Sequence, residues 1–364
     1  MAQAAFLPWQ TELATRWLSD RERFAHAWLI HGLTGIGKRE FALAAAASLL
    51  CESPINSLAC GKCLACGWIA LGNHPDFKRI RPEALAVEEG AAQASEGDGS
   101  DASEAVEATG GSKRAPSKEI RVEQIRSLET WFNTGTHRSG FRVVLIYPAE
   151  SLNAITANTL LKVLEEPAPN TIFLLVADAP DRLLATLLSR CRRLPLATPS
   201  RAVALAWLAD QGVKSGEQWL AAAGGAPLLA KHLAEQQPEP CPQWLSGFMD
   251  TLAGQRAVDA GHLADTLSKM AASQWIDSLQ RLCVDLLMAA NHLPLRYFPG
   301  LGTSVTAIAA TADVKALSDL SSWISQQMRL ANHPLNAKLF AQSIIHRVAT
   351  ACRPSKSPKS LYVR

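Results

Sequence analysis

At 364 residues the chain is too long for one ordinary core and long enough for two or three domains, each burying its own apolar set. A net charge of +3 over that length shows no strongly basic nucleic-acid grip in the totals, so any DNA contact is expected to be local or supplied by partners. Met1 to Gln10 does not read as a leader, and the longest apolar stretch, near Phe41 to Cys51, is too short to cross a bilayer; the expected location is cytoplasmic, away from membranes.

Short apolar runs alternate with helical patterns through the first half, the signature of a parallel sheet with helices on its faces. Strands are expected at Ala27–His31, Phe77–Ile80, Arg142–Tyr147, Thr171–Ala177 and Arg193–Leu196. Helices are expected between them at Lys38–Leu50, Val122–Thr134, Asn153–Leu164 and Asp181–Leu188. Helical connections suit a doubly wound α/β domain of αβα layers over residues 1–196. From about residue 83 to 118 the composition turns to Ala, Gly, Ser and Glu with almost no large apolar side chain after Val87, so this segment is expected to be a disordered acidic insertion.

After Leu196 the pattern is helical, beginning with Arg201–Asp210 and Gln218–Ala223. Trp275, Ile276, Leu279, Leu282 and Leu286 recur at helical spacing, as do Leu317, Leu320, Ile324 and Met328, and both sets read as core. Gly224-Gly225 and the proline-rich run 237–242 read as hinges, which divides this half into a small helical domain at 197–238 and a helical bundle at 239–364.

Gly32-Leu33-Thr34-Gly35-Ile36-Gly37-Lys38-Arg39 follows an apolar strand and opens a helix, the context a phosphate-binding loop requires. Gly32, Gly35 and Gly37 let the backbone amides turn inward, the helix N-terminus adds partial positive charge, and Lys38 supplies a point charge for outer phosphates. The pattern ends in Ser or Thr because that hydroxyl ligates magnesium; here Arg39 stands there, and a guanidinium cannot ligate a cation. The strand Val143-Val144-Leu145-Ile146, which would end in two acids, runs into Tyr147-Pro148, and Glu150 comes two residues late and reads as a surface or capping carboxylate. Together these losses argue against hydrolysis, and whether ATP or ADP is held at all stays open.

Eight cysteines are present, and four of them, Cys51, Cys60, Cys63 and Cys66, form C-x8-C-x2-C-x2-C with Gly61 and Gly67 beside the turns. Four thiolates with no histidine or carboxylate suit a closed tetrahedral zinc site with a structural role, although an iron–sulfur cluster uses the same ligands.

A cysteine module placed after the first helix of a phosphate-loop fold resembles the bacterial clamp-loader subunits of the AAA+ class. Leu152-Asn153 followed by Ala157-Asn158-Thr159-Leu160-Leu161-Lys162-Val163-Leu164-Glu165-Glu166-Pro167 is similar to the family's LN…AN-x-LLK-x-LEEP helix. Ser189-Arg190-Cys191 is similar to its Ser-Arg-Cys motif; read alone, Arg190 is a basic residue near a helix end beside Arg192 and Arg193.

The resemblance implies that 197–238 is a lid and 239–364 an oligomerising collar. It implies that Arg190 is an arginine finger aimed at the ATP of a neighbouring subunit, which makes turnover depend on assembly. The implied partners are three motor subunits and the clamp-opening delta subunit in a pentamer, with the sliding clamp and primer-template DNA reached through the complex. Arg39, Tyr147 and Pro148 group this chain with the family's non-hydrolysing member, with no ATPase of its own, and Gly224-Gly225-Ala226-Pro227 carries no nucleotide-sensing arginine. Two other readings are an active motor that tolerates Arg39, and a zinc-containing adaptor on a degenerate P-loop fold.

Overall fold

A computed structural model describes residues 5–20, 24–90, 115–137, 140–331, 333 and 336–354, so the middle of the expected insertion, 91–114, lies outside the described residues. The chain divides into two compact units, Met1–Pro199 and Ser200–Arg364. In the first unit the elements run α1 (Thr11–Leu18), β1 (Ala27–His31), α2 (Lys38–Leu50), α3 (Leu64–Leu71), β2 (Phe77–Ile80), α4 (Glu83–Glu88), α5 (Val122–Phe132), β3 (Arg142–Ile146), α6 (Ala154–Glu165), β4 (Thr171–Ala177), α7 (Ala185–Leu188) and β5 (Arg192–Pro195).

The strands form one sheet of five in the order β2-β3-β4-β1-β5, every pair parallel. Central strands of such a sheet are covered on both faces, which is why β3 and β4 are buried at every position and, after Arg142 and Thr171, apolar without alternation. The edges read differently: β2 carries Lys78 and Arg79, and β5 carries Arg192 and Arg193 and ends in Pro195, which blunts further pairing. One face packs α5 and α6 through Ile125, Leu128, Leu160 and Leu164 onto Val144, Phe173 and Leu175. The other face receives α2, whose alanine run, Ala44 to Ala47, is buried. A helix buried all round needs cover on its far side, and Phe41 receives it from Phe6 and Trp17, ring centroids 5.2 and 5.5 Å away.

Three expectations are corrected. Asp181–Leu188 is not one helix: Pro180–Arg182 is a 3-10 turn, Leu183 and Leu184 are extended, and only Ala185–Leu188 is α-helical. The insertion does not begin at residue 83, because Glu83–Glu88 is helical and tied to the far side of the insertion. Ser117 N–H donates to Glu83 Oε2 at 3.2 Å, and Arg121 pairs with Glu83 Oε1 at 2.8 Å. Strand β5 begins and ends one residue earlier than expected, on an edge where apolar periodicity is weakest.

The second unit is helical: α8 (Arg201–Asp210), α9 (Gly216–Ala222), α10 (Pro227–Gln236), α11 (Gln243–Ala253), α12 (Ala260–Leu267), α13 (Ala272–Ala290), α14 (Gly302–Thr311), α15 (Val314–Gln327) and α16 (Ala337–Ala351). Leu208, Trp219, Leu220 and Ala230 make one core among α8 to α10. Trp275, Leu279, Leu282, Leu286, Leu320 and Ile344 anchor a larger one among α11 to α16, so the periodic positions are core. The Gly224-Gly225 turn after α9 is fastened rather than loose: Arg281 Nη1 donates to Ala222 O at 2.5 Å, and Arg296 Nη2 to Gly224 O at 3.4 Å. No described helix is long and apolar enough to cross a membrane.

Candidate functional site

The loop 32–37 leaves the carboxyl end of β1, between β4 and β5, and enters α2. Crevices at that end of an open α/β sheet are where ligands bind. Glycine is required at its first position: a Cβ on Gly32 would lie 2.6 Å from the Leu196 carbonyl oxygen. Gly35 and Gly37 take φ of 80° and 89°, and Gly37 is the N-cap of α2 in the left-handed region, which a side chain would strain.

Lys38 is turned into this loop, its side chain only 4 % exposed. Its Nζ donates to Gly32 O at 2.9 Å and Leu33 O at 2.5 Å and pairs with Asp178 Oδ1 at 2.6 Å. Three partners match the three protons of an ammonium. Asp178, just beyond β4, also accepts from Thr34 Oγ1 at 2.9 Å. Glu150 fixes it in turn, accepting from the backbone N–H groups of Asp178 and Ala179 at 2.5 and 2.6 Å, so Glu150 is a capping carboxylate. Trp9 Nε1 donates to Ile36 O at 3.0 Å and Gln10 Nε2 to Gly37 O at 2.8 Å, which occupies the loop's outward carbonyls.

Arg39 faces away from this cluster. It pairs with Glu40 at 2.9 Å and with Glu89 Oε1 at 3.0 Å. Burial works to lower its pKa, yet Glu40 and Glu89 outweigh that and hold it above the usual value. Glu89 also accepts from the Tyr147 hydroxyl, 2.8 Å from Oε2, and Arg81 Nε lies 3.1 Å from that same oxygen, off the line of a hydrogen bond. Burial pushes the Tyr147 phenol up to about 12. The two positions that would serve magnesium, after the loop lysine and at the end of β3, are thus joined through one carboxylate at the end of α4. Asp178 and Glu89 were not singled out from sequence. A polar residue at the carboxyl end of the strand beside β1 was the available signal for Asp178; Glu89 carried none.

The cysteines come together. Cys51 caps the C-terminus of α2, Cys63 precedes α3 and Cys66 lies within it. The sulfurs of Cys51, Cys60, Cys63 and Cys66 all lie within 4.8 Å of one another, and the group can hold one metal ion. Four sulfurs at zinc–thiolate bond length around a tetrahedron stand ~3.8 Å apart, and Cys51 Sγ is 3.8 Å from Cys63 Sγ. Backbone N–H groups support the charge: Cys60 N reaches Cys51 Sγ at 3.3 Å, and Lys62 N and Cys63 N reach Cys60 Sγ at 3.5 and 3.4 Å. Those donors lower the Cys60 thiol to about 6, while burial raises Cys51 and Cys66. The site fits a metal because it gathers four sulfurs and supplies amide donors that favour their thiolate forms.

Arg190 lies apart from both clusters, just past the end of α7 and 34 % exposed. Its Nη1 donates to Thr186 O at 2.9 Å, and its Nη2 makes a hydrogen-bonded ion pair with Glu165 at the end of α6. A cleft of about 800 Å³ along α11 to α13 contains none of the predicted site residues.

Sheet order, glycine-shaped loop and cysteine module define a P-loop-type αβα domain with a four-cysteine knuckle that can hold a metal ion. The family described as DNA polymerase III, delta subunit, matches residues 11–200. The DNA polymerase III subunit delta' of Pseudomonas aeruginosa is 38% identical over 237 residues, 64% of this chain and 62% of that protein. The Escherichia coli subunit delta' is 32% identical over 54% of this chain and 50% of its own length. A DNA polymerase III subunit gamma of Buchnera aphidicola is 30% identical over 46% of this chain and 37% of its own. The chain belongs to the delta-prime subunits of the DNA polymerase III clamp-loader family. Its match spans half to about three fifths of the length of those delta' relatives.

Proposed function

We propose that this chain is a non-hydrolysing subunit of the clamp loader that acts through its neighbours. It offers Arg190 in trans to the ATP of an adjacent motor subunit, and it works in a pentamer with three motor subunits and a delta subunit. The complex places a sliding clamp on primer-template DNA in the cytoplasm. Residues 1–196 are the P-loop-like domain, 197–238 the lid and 239–364 the collar through which the pentamer joins.

One observation carries the reading: the loop lysine is already satisfied by Asp178 and by the loop's own carbonyls, while Arg39 and Tyr147 stand on Glu89 where magnesium ligands would be needed. Without a hydroxyl after the lysine and acids at the end of β3, nothing there positions a metal or an attacking water. The work left is electrostatic and intermolecular. A guanidinium delivered across an interface stabilises charge on a transferred phosphoryl group, so it acts only when subunits are assembled. The knuckle residues Cys51, Cys60, Cys63 and Cys66 would hold structural Zn2+, which supplies cross-linking of the α2–α3 segment and leaves no position open to substrate.

The purified chain should turn over ATP no faster than background, with Lys38→Ala changing nothing; brisk turnover lost in Lys38→Ala would establish the motor reading instead. In the reconstituted complex Arg190→Ala should lower the DNA-stimulated ATPase rate while the chain still folds and assembles. An unchanged rate contradicts the finger, and failure to assemble with clamp-loader subunits favours the adaptor reading.

A further inference from the structure

Arg190 is not a side chain waiting free in solvent. Its two terminal nitrogens are held on different elements: Nη1 by Thr186 O of α7 at 2.9 Å and Nη2 by the Glu165 carboxylate at the end of α6. Among the described residues its Nε–H has no partner, and the side chain remains 34 % exposed. A guanidinium is planar, so contacts at two nitrogens fix the plane as well as the position and leave the Nε–H unpaired. We infer that Glu165 is the positioning residue for Arg190, presetting the partly exposed guanidinium for an anionic ligand on a neighbouring subunit. This inference rests on the trans role proposed above.

The physical case turns on strength. An arginine carries substantial rotamer entropy, and holding it before an interface forms removes part of that penalty from the encounter. The pair is also weak enough to serve, because Glu165 is 49 % exposed and a half-solvated ion pair neither locks the arginine down nor cancels its charge. Thr186 contributes a backbone carbonyl, which mutation cannot remove, and Ser189 Oγ stands only at 3.5 Å from Nη1, so Glu165 is the charged part of the clamp that side-chain substitution can test. Its neighbour Glu166 serves as the internal control, since no described ion pair or hydrogen bond joins its carboxylate to Arg190.

The test uses the reconstituted clamp loader, with ATP and primed DNA. Glu165→Ala should lower the maximal ATPase rate about two- to fivefold at unchanged KM for ATP, the size expected for loss of a half-exposed charged contact. Glu165→Gln, which keeps an acceptor, should lie between it and wild type, and Glu166→Ala should match wild type. On an Arg190→Ala background Glu165→Ala should add nothing. In the isolated chain, nitrogen-15 relaxation of the Arg190 Nε should report an ordered side chain that becomes mobile in Glu165→Ala, with the melting temperature within about 2 °C of wild type.

An unchanged rate in Glu165→Ala, a raised rate, or an equal loss on the Arg190→Ala background each overturns the positioning role; a raised rate would make the contact a restraint. If Arg190→Ala itself leaves the rate unchanged, the trans role falls. Mobility of Nε then decides separately whether Glu165 orders the side chain.

Discussion

The two ends of α2 present opposite solutions to one problem. At its N-terminus the loop gathers amides, a lysine and an arginine, and the excess positive charge is met by Asp178 and Glu89 from the same chain. At its C-terminus Cys51 begins a cluster of four sulfurs for which the described residues provide amide donors but no paired cation. The first end has its charges paired within the chain, and the second gathers sulfurs that could hold a metal ion. A site can persist as architecture where its charges become internal pairs, and it stays open to a ligand where they do not.

The sharpest way to break that contrast is at the cysteines. Cys63→Ser should abolish stoichiometric zinc and lower the stability of the first unit by about 4 kcal/mol or more, because metal binding there is part of the folding free energy. Chelation of the wild-type protein should have the same effect and be reversed by added zinc. Metal content by mass spectrometry with thermal melting checks both; retained metal with an unchanged melt would place the knuckle with the self-sufficient end of the helix.

At the other end the largest effect should come from Lys38→Met. It removes the cation that Asp178 and two carbonyls share, and urea unfolding should register a loss of about 1–3 kcal/mol, reduced by the solvent that reaches Asp178. If Lys38→Met is instead neutral while added ATP raises the melting temperature of the wild type, the loop is a working ligand site and the contrast fails.

How much of this was legible depends on sequence separation. The αβα core was readable because β3 and β4 are unbroken apolar runs after Arg142 and Thr171 and α2 follows the glycine loop directly. The cysteines were readable because their spacing is local. Helix α1 was missed although Leu13, Ala14, Trp17 and Leu18 line one helical face, a pattern short enough to pass for loop. Helix α4 buries no residue, so no apolar period betrays it, and its anchors Ser117 and Arg121 come from beyond the insertion. The partners of the phosphate-loop residues are remoter still: Thr34 meets Asp178 at a separation of 144 residues and Arg39 meets Glu89 at 50. Loss of a hydroxyl and two acids can be read along a chain, but what replaces them is decided by folding.

The smallest predicted effects are at Glu89 and Tyr147, and they ask whether the former metal positions have become structural. Glu89→Gln leaves Arg39 and Arg81 without their shared counter-charge and should cost about 1–2 kcal/mol, since Arg39 keeps Glu40 and remains partly solvated. Tyr147→Phe removes only the hydroxyl bonded to Glu89 and should cost about 1 kcal/mol near neutral pH. Its pH dependence is more telling than its size. Burial, reinforced by Glu89 and opposed by Arg81, raises the phenol to about 12 from its ordinary value of 10, so the folded state favours the neutral, donating form. A group whose pKa is raised on folding stabilises below its unfolded pKa and loses that contribution as pH rises through the folded one. The stability advantage of wild type over Tyr147→Phe should therefore be constant below about pH 10 and fade between about 10 and 12. Denaturant unfolding of both proteins across that range checks it: a difference that stays flat to pH 12 would mean the hydroxyl does not join Glu89 in solution, and the end of β3 would be vacant rather than rebuilt.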